Sequence, residues 1–88
     1  MTLGEILRTI RDAPTDATIV AEKPWTQESR ASVCEIPTAV LSELEVDGQS
    51  YFLEVFIACD LWEDIERAGV DEEGAIVARI IKYAIDDA

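Results

Sequence analysis

The dipeptide Asp47-Gly48 is the feature of this 88-residue sequence that most restricts its fold. It lies between two runs of apolar-patterned residues, and Asp-Gly in that setting is a strong signal for a two-residue hairpin turn. We therefore predict a β-hairpin over Ala39–Ile57, with strands over residues 40–46 and 49–57. Directly opposed residues share a face of the sheet, so this pairing predicts two faces of different character.

One predicted face of the hairpin is apolar, and the other mixes carboxylates with aromatic side chains. The apolar face, which we expect to pack in the core, holds Val40, Leu44, Val46, Tyr51, Leu53, Val55 and Ile57. The mixed face holds Ala39, Leu41, Glu43, Glu45, Phe52, Glu54 and Phe56. Three interpretations of the mixed face remain open. Helices cover its phenylalanine end while its glutamate end meets water, or its apolar side chains stay partly exposed as anchors for a cationic partner, or the face forms a dimer.

The residues before the hairpin predict one helix and two strands. Thr2 and Glu5 have the spacing of a capping box, in which each side chain accepts a hydrogen bond from the other residue's backbone N–H. The helix that follows is predicted to end before Pro14, because the residue before a proline is disfavoured in a helix. Residues 16–22 and 31–36 are rich in β-branched and apolar residues, so each segment is predicted to form a strand, with a polar loop between them.

The residues after the hairpin predict two helices. Asp60 followed by Glu63 has capping-box spacing, so the first of these helices is predicted to begin at Asp60 and to end at Gly69. The second is predicted to begin at Asp71 and to bury a wide apolar stripe of Ile76, Val77, Ile80, Ile81, Ala84 and Ile85. The sequence thus predicts a single α+β domain over residues 1–88. It has an N-terminal helix, a four-stranded, mainly antiparallel sheet with a central hairpin, and two C-terminal helices.

Charge limits the class of partner. The sequence has 19 Asp and Glu against 7 Lys and Arg, a net charge of -12. Binding phosphates requires clustered Lys and Arg, so we expect no binding to nucleic acid or to an anionic membrane. A basic protein surface is the partner that this charge favours. No apolar run approaches about 18 residues and Met1–Glu5 lacks a basic signal-peptide start, so we expect a cytoplasmic protein.

Residues typical of catalytic and metal sites are scarce. Histidine is absent from the sequence, and Cys34 and Cys59 lie in apolar, strand-like contexts where a free cysteine behaves as a small hydrophobe. The four glycines are scattered as caps and turns rather than gathered in a phosphate-binding loop. The acidic residues after the hairpin lack the spacing of a calcium-binding loop. We therefore expect no catalytic residues, no cofactor and no bound metal, and a protein that is not an enzyme.

A second acidic cluster lies in the helix predicted after the hairpin. It consists of Asp60, Glu63, Asp64 and Glu66, and it surrounds Trp62. Tryptophan is enriched both in cores and at interfaces, so Trp62, like Trp25 in the loop between the first two strands, fits either place. The candidate partner-binding residues are Glu43, Glu45, Phe52, Glu54, Asp60, Trp62, Glu63 and Asp64.

Two segments of the chain resemble small bacterial domains. They are Asp16–Ala21 continuing through Trp25-Thr26, and Tyr51–Val55 running into Leu61–Ala68. In size and acidity the chain is also similar to the immunity proteins of contact-dependent and other polymorphic toxin systems. That resemblance implies a cytosolic protein that neutralises a cognate toxin, often a basic nuclease, by occluding its active site. Immunity families share no catalytic residues, so the resemblance transfers none to this chain.

These observations together predict a protein-binding inhibitor, specifically an immunity protein for a basic toxin. Two alternatives remain open. One is a phage-encoded inhibitor that mimics nucleic acid by displaying carboxylates at phosphate-like positions. The other is a small acidic subunit of an oligomer, such as a homodimer, with no inhibitory role.

Overall fold

A computed structural model describes residues 1–35 and 48–87 of the chain. Over these residues the elements are, in order, helix α1 (Leu3–Arg8), a 3₁₀ helix (Ile10–Asp12), strands β1 (Thr18–Ala21), β2 (Ala31–Cys34) and β3 (Ser50–Glu54), and helices α2 (Val55–Arg67) and α3 (Glu73–Asp87). The predicted α+β class is confirmed. The first predicted hairpin strand, residues 40–46, and the turn residue Asp47 lie outside the described residues.

Helix α1 begins with the predicted capping box. The backbone N–H of Thr2 donates to Glu5 Oε1 at 2.9 Å, and the backbone N–H of Glu5 donates to Thr2 Oγ1 at 3.2 Å. The hydrogen bond from the Thr2 backbone is the main reason that the pKa of the Glu5 carboxyl is lowered. Two N–H groups that a helix start leaves without an intrahelical partner are satisfied in this way. The cap directs the apolar side of α1 into the core, where Leu3, Ile6 and Leu7 are buried.

Strand β1 lies between β2 and β3, and both pairings are antiparallel. Ile19 is opposite Val33 on one side and Leu53 on the other, and all four residues of β1 are buried. Among the described residues the sheet has three strands, so the predicted four strands with a central hairpin are not confirmed. The described strand of the predicted hairpin, β3, lies beside β1, which is the more deeply buried strand.

The prediction for the second hairpin strand is wrong at its C-terminal end. That strand was expected to continue to Ile57 and a helix to begin at Asp60, whereas β3 ends at Glu54 and α2 begins at Val55. The reason is the stripe of residues that α2 buries at helical spacing, which is Val55, Ala58 and Trp62. A strand would instead have placed Val55 and Ile57 together on the core face. Asp60 therefore lies inside the helix, whose start has no side-chain cap.

The end of α2 follows the prediction. Gly69 has a φ of 103°, a left-handed conformation that glycine adopts without the steric cost of a Cβ. It lets the backbone N–H of Val70 donate to the carbonyl oxygen of Ile65 at 3.3 Å, which satisfies a carbonyl group of the last helical turn. The chain then turns toward α3.

Helix α3 begins two residues later than predicted. The carboxylate of Glu72 accepts hydrogen bonds from the backbone N–H groups of Gly74 at 3.0 Å and Ala75 at 2.7 Å, which fixes the start at Glu73 rather than Asp71. The predicted apolar stripe is confirmed at Ile76, Val77, Ile80, Ile81 and Ala84. Its last predicted member, Ile85, is 51% exposed and does not belong to the core.

The core joins side chains from the sheet, the loop after β1 and all three helices. Trp25 in the loop meets Phe52 of β3 edge to face, with ring centroids 5.0 Å apart. Helix α2 packs against α3, and α1 contacts both β2 and α3. This packing covers one side of α2 and leaves its other side in water. Within residues 1–35 and 48–87, no helix combines the length and apolar character that crossing a membrane requires.

Candidate protein-binding face of the second helix

The solvent side of α2 carries one aromatic residue and several acids. Successive residues of an α-helix are about 100° apart around its axis, so Phe56, Asp60, Glu63 and Asp64 fall within an arc of about 100°. All four are exposed, and Phe56 is 49% exposed despite its large apolar ring. We call these four residues the outer face of α2. It combines an accessible aromatic ring with three carboxylates on one rigid element.

The outer face is positioned by what the opposite side of α2 buries. Val55, Ala58 and Trp62 point into the core and fix the rotation of the helix about its axis. Because Phe56 follows Val55 directly, burial of Val55 turns the Phe56 ring away from the core. Most of the strongly charged residues of α2 are consequently on its solvent side, where they remain hydrated.

Two carboxylates of the outer face lack a cationic partner within residues 1–35 and 48–87. Asp64 is paired with Arg67, whose Nη1 lies 3.3 Å from Asp64 Oδ1. Neither Asp60 nor Glu63 has an ion pair with another residue in the described part of the chain. Exposed pairs such as Asp64–Arg67 contribute about 0–1 kcal/mol and exchange readily with solvent. Arg67 falls within the same arc and offsets one of the three carboxylates, so the outer face retains the negative charge of Asp60 and Glu63.

Cys59 lies at the border of the outer face. Its Sγ donates to the carbonyl oxygen of Ile10 at 3.5 Å, which ties α2 to the 3₁₀ helix. Burial raises the pKa of the Cys59 thiol, and the negative charges of Glu63 and Asp60 raise it further. A raised pKa disfavours the thiolate, the reactive form of cysteine. Cys59 was expected in a strand-like segment, but it lies within α2.

The structure describes six of the eight predicted partner-binding residues, and these six fall into three groups. It brings Asp60, Glu63 and Asp64 together on the outer face of α2. Two other members, Phe52 at 2% exposure and Trp62 at 1%, are core residues, so neither ring is available as an anchor. Glu43 and Glu45 lie outside the described residues.

The last predicted member, Glu54, lies at the end of β3 and is partly buried. Its Oε1 accepts a hydrogen bond from the Tyr51 hydroxyl at 3.4 Å. Partial burial raises the pKa of Tyr51, and the charge of Glu54 raises it further. Glu54 is thus engaged within the fold and contributes less free charge than Asp60 or Glu63.

Phe56 is the residue that the sequence analysis left out of the candidate set. The strand pattern places Phe56 on the mixed face of the hairpin, as one of several possible anchors. That placement requires residue 56 to belong to a strand. The signal that identifies it is the spacing of Phe56, Asp60 and Glu63, which share one side of a helix that begins at residue 55. Recognising that spacing requires the start of α2 to be known.

An apolar groove lies on a different part of the surface. It has a volume of about 370 Å³ and is lined by Lys23, Pro24, Trp25 and Ile85. The Lys23 ammonium group lies 5.1 Å from the centroid of the Trp25 ring, a cation–π contact within the chain. The groove is shallow and open to solvent, and a single charged side chain lines it.

Groups suited to catalysis or metal binding do not accompany these surfaces. Within the described residues, no three His, Cys, Asp or Glu side chains are grouped in a way that would hold a metal ion. Cys34 and Cys59 are both free thiols, and both are partly buried. The outer face of α2 offers charge, an aromatic ring and a rigid backbone.

Comparison of the chain with protein-family models, with curated proteins and with solved structures found no match. The proposal for the function of this protein therefore rests on the outer face of α2.

Proposed function

We propose that this protein is a cytoplasmic protein-binding inhibitor, an immunity protein that neutralises a basic toxin by covering its active surface. The observation that carries the proposal is the outer face of α2. There the exposed Phe56 ring stands beside Asp60 and Glu63, two carboxylates without a cation among the described residues. Binding hot spots commonly consist of an aromatic anchor surrounded by polar groups.

The net charge of -12 supports a basic partner. A charge of that size attracts a cationic protein over about a Debye length and increases the rate of productive encounters. The same charge repels nucleic acid and a second copy of this chain. An inhibitor has to intercept its toxin quickly, so a fast electrostatic association is the property that selection would favour in an immunity protein.

The direct test is protection against a toxin. We expect the gene for this chain to lie beside a toxin gene whose product has a basic C-terminal domain. In the test, that domain is expressed in cells with and without this chain. We expect the chain to restore growth and to co-purify with the domain. Reversing two charges on the outer face, Asp60→Lys with Glu63→Lys, is expected to abolish protection. The matched control reverses two exposed acids elsewhere, Asp16→Lys with Glu28→Lys, and is expected to retain most of it.

The salt dependence of binding gives a second readout. The association rate of the purified pair is expected to fall as salt concentration rises, and the fall is expected to be smaller for the Asp60→Lys, Glu63→Lys variant. Added DNA is not expected to displace the toxin from the wild-type chain unless the toxin itself binds DNA. Equal protection by both double variants, or an adjacent gene without a basic domain, would remove the immunity proposal. Retention of unrelated DNA-binding proteins, reversed by DNA, would favour a nucleic-acid mimic.

A further inference from the structure

We propose that the outer face of α2 binds an arginine side chain of the partner, with the guanidinium stacked on the Phe56 ring and paired with Asp60. This inference rests on the proposed function and specifies the residue type that the face selects. Its support comes from a second site on the same helix, where an arginine of this chain is already held in that way.

The second site consists of Trp62, Glu66 and Arg11. The guanidinium carbon of Arg11 lies 5.7 Å from the centroid of the Trp62 ring, and Arg11 Nη1 lies 3.8 Å from Glu66 Oε1. Trp62 and Glu66 are four residues apart on α2, so the acid lies one turn beyond the ring on the same side of the helix. An aromatic residue and an acid at this spacing thus bind one arginine between them.

Phe56 and Asp60 repeat that spacing one and a half turns earlier. Asp60 is four residues after Phe56, as Glu66 is four residues after Trp62. Side chains four residues apart lie on the same face of a helix, so the Asp60 carboxylate is on the same side as the Phe56 ring, about 6 Å farther along the axis. Glu63 follows Asp60 by three residues and adds a second carboxylate. The difference is that no arginine of the described chain lies on this pair.

The chemistry of the pair favours arginine over lysine. A guanidinium is flat, so it stacks on an aromatic face while the N–H groups at its edge donate to carboxylate oxygens. An ammonium group is a compact point charge that cannot make both contacts with the same geometry. The Phe56 ring therefore adds a preference that charge alone would not give.

An apolar partner or a second copy of this chain fits the face less well. An apolar surface seated on Phe56 would remove Asp60 and Glu63 from water without supplying a cation, and burial of an unpaired charge is costly. A second copy would bring together two chains of net charge -12. An arginine-bearing surface supplies both the flat group and the charge that the face lacks.

The test compares nonaarginine with nonalysine, two peptides of equal charge, as ligands of the isotopically labelled full chain. Affinity is followed by calorimetry and the location of binding by the shifts of backbone amide signals. We expect nonaarginine to bind about two- to fivefold more tightly, the range that an exposed cation–π contact supplies. The largest amide shifts are expected between residues 56 and 64.

Two variants locate the source of that preference. Phe56→Leu retains an apolar side chain but removes the aromatic ring, and it is expected to reduce the preference for nonaarginine without abolishing binding. The matched control, Ile85→Ala, truncates a similarly exposed apolar residue on α3 and is expected to keep the preference. Amide spectra of both variants check that the fold is intact.

Several outcomes would overturn the inference. They are equal affinity of the wild-type chain for the two peptides, a preference that is undiminished in Phe56→Leu, and amide shifts centred away from α2. Self-association of the free chain that Phe56→Leu abolishes would show that a second copy occupies the face. Because the peptides replace the toxin, these results are independent of the growth assay, so a failure here is distinguishable from a failure of the immunity proposal.

Discussion

The two sides of α2 use the same kind of residue for opposite purposes. On the inner side, Trp62 is 1% exposed and Arg11 of the same chain lies over its ring. On the outer side, Phe56 is 49% exposed, and no cation of the described chain lies on it. Each ring is followed four residues later by an acid. The difference shows that the inner ring is part of the core packing, whereas the outer ring is accessible to the partner that we propose.

The largest expected effect is on stability, from truncation of the inner ring. Trp62→Ala is expected to lower the free energy of unfolding by about 3–5 kcal/mol, because it leaves a cavity where a large buried side chain was packed. Phe56→Ala is expected to lower it by only about 1 kcal/mol, because about half of the Phe56 surface is already exposed. Urea denaturation followed by circular dichroism measures both values.

The comparison between the two rings would break down if the two costs were similar. A cost for Phe56→Ala close to that for Trp62→Ala would mean that the Phe56 ring is part of the core in solution. A chain with Trp62→Ala that fails to fold agrees with the upper end of the expected range. Trp62→Phe then supplies a measurable value for the same position.

An intermediate effect is expected when Trp62 is replaced by phenylalanine. Its Nε1–H is buried and has no acceptor among the described residues. Leaving such a donor unpaired costs about 1–3 kcal/mol, and Trp62→Phe removes that cost along with part of the packing. We therefore expect a loss of about 1–2 kcal/mol, well below that of Trp62→Ala.

Trp25 provides a matched control for the unpaired N–H. Its Nε1–H donates to the carbonyl oxygen of Ala21 at 3.2 Å, so Trp25→Phe loses a hydrogen bond as well as packing. We expect Trp25→Phe to be more destabilising than Trp62→Phe in the same urea experiment. The reverse order would show that the Trp62 N–H has a hydrogen-bond acceptor in solution. The inner side of α2 would then have no unpaired buried donor.

The contrast between the starts of α1 and α2 shows which parts of the fold the sequence could predict. Helix α1 begins with Thr2 and Glu5, whose side chains form a local capping box, and local chemistry of this kind is readable from sequence. Helix α2 begins after Glu54 without a side-chain cap, directly from a strand and within an apolar run. Short apolar runs fit both a strand and a helix, and only packing against the rest of the core decides between them.

That missed start also limited the prediction of the site. The acids Asp60, Glu63 and Asp64, which are predicted to bind a partner, are exposed in the structure, as is usual for acids that are not paired in the interior. Their aromatic companion Phe56 is not among the predicted site residues, because the strand pattern places it with Phe52 and Glu54 on the mixed face of the hairpin. The helix places Phe56 on the same side as Asp60 and Glu63 instead. Whether a given ring is core or surface depends on the rotation of α2, which is set by contacts with distant segments.

The smallest expected effect concerns Cys59, at the border between the two sides of α2. Because burial, Glu63 and Asp60 all raise the pKa of its thiol, alkylation by iodoacetamide is expected to be slower than for an unstructured cysteine peptide and to reach its maximum at higher pH. Asp60→Asn with Glu63→Gln is expected to shift the pH profile downward without bringing it to that of the peptide, since burial, the largest cause, remains. Peptide mass spectrometry resolves alkylation at Cys59. The control variant, Asp16→Asn with Glu28→Gln, makes the same change of net charge elsewhere and so tests the effect of the field of the whole protein. A profile that moves equally in both double variants would mean that the outer face exerts no local field, and its carboxylates would then offer an arginine little beyond the net charge of the chain.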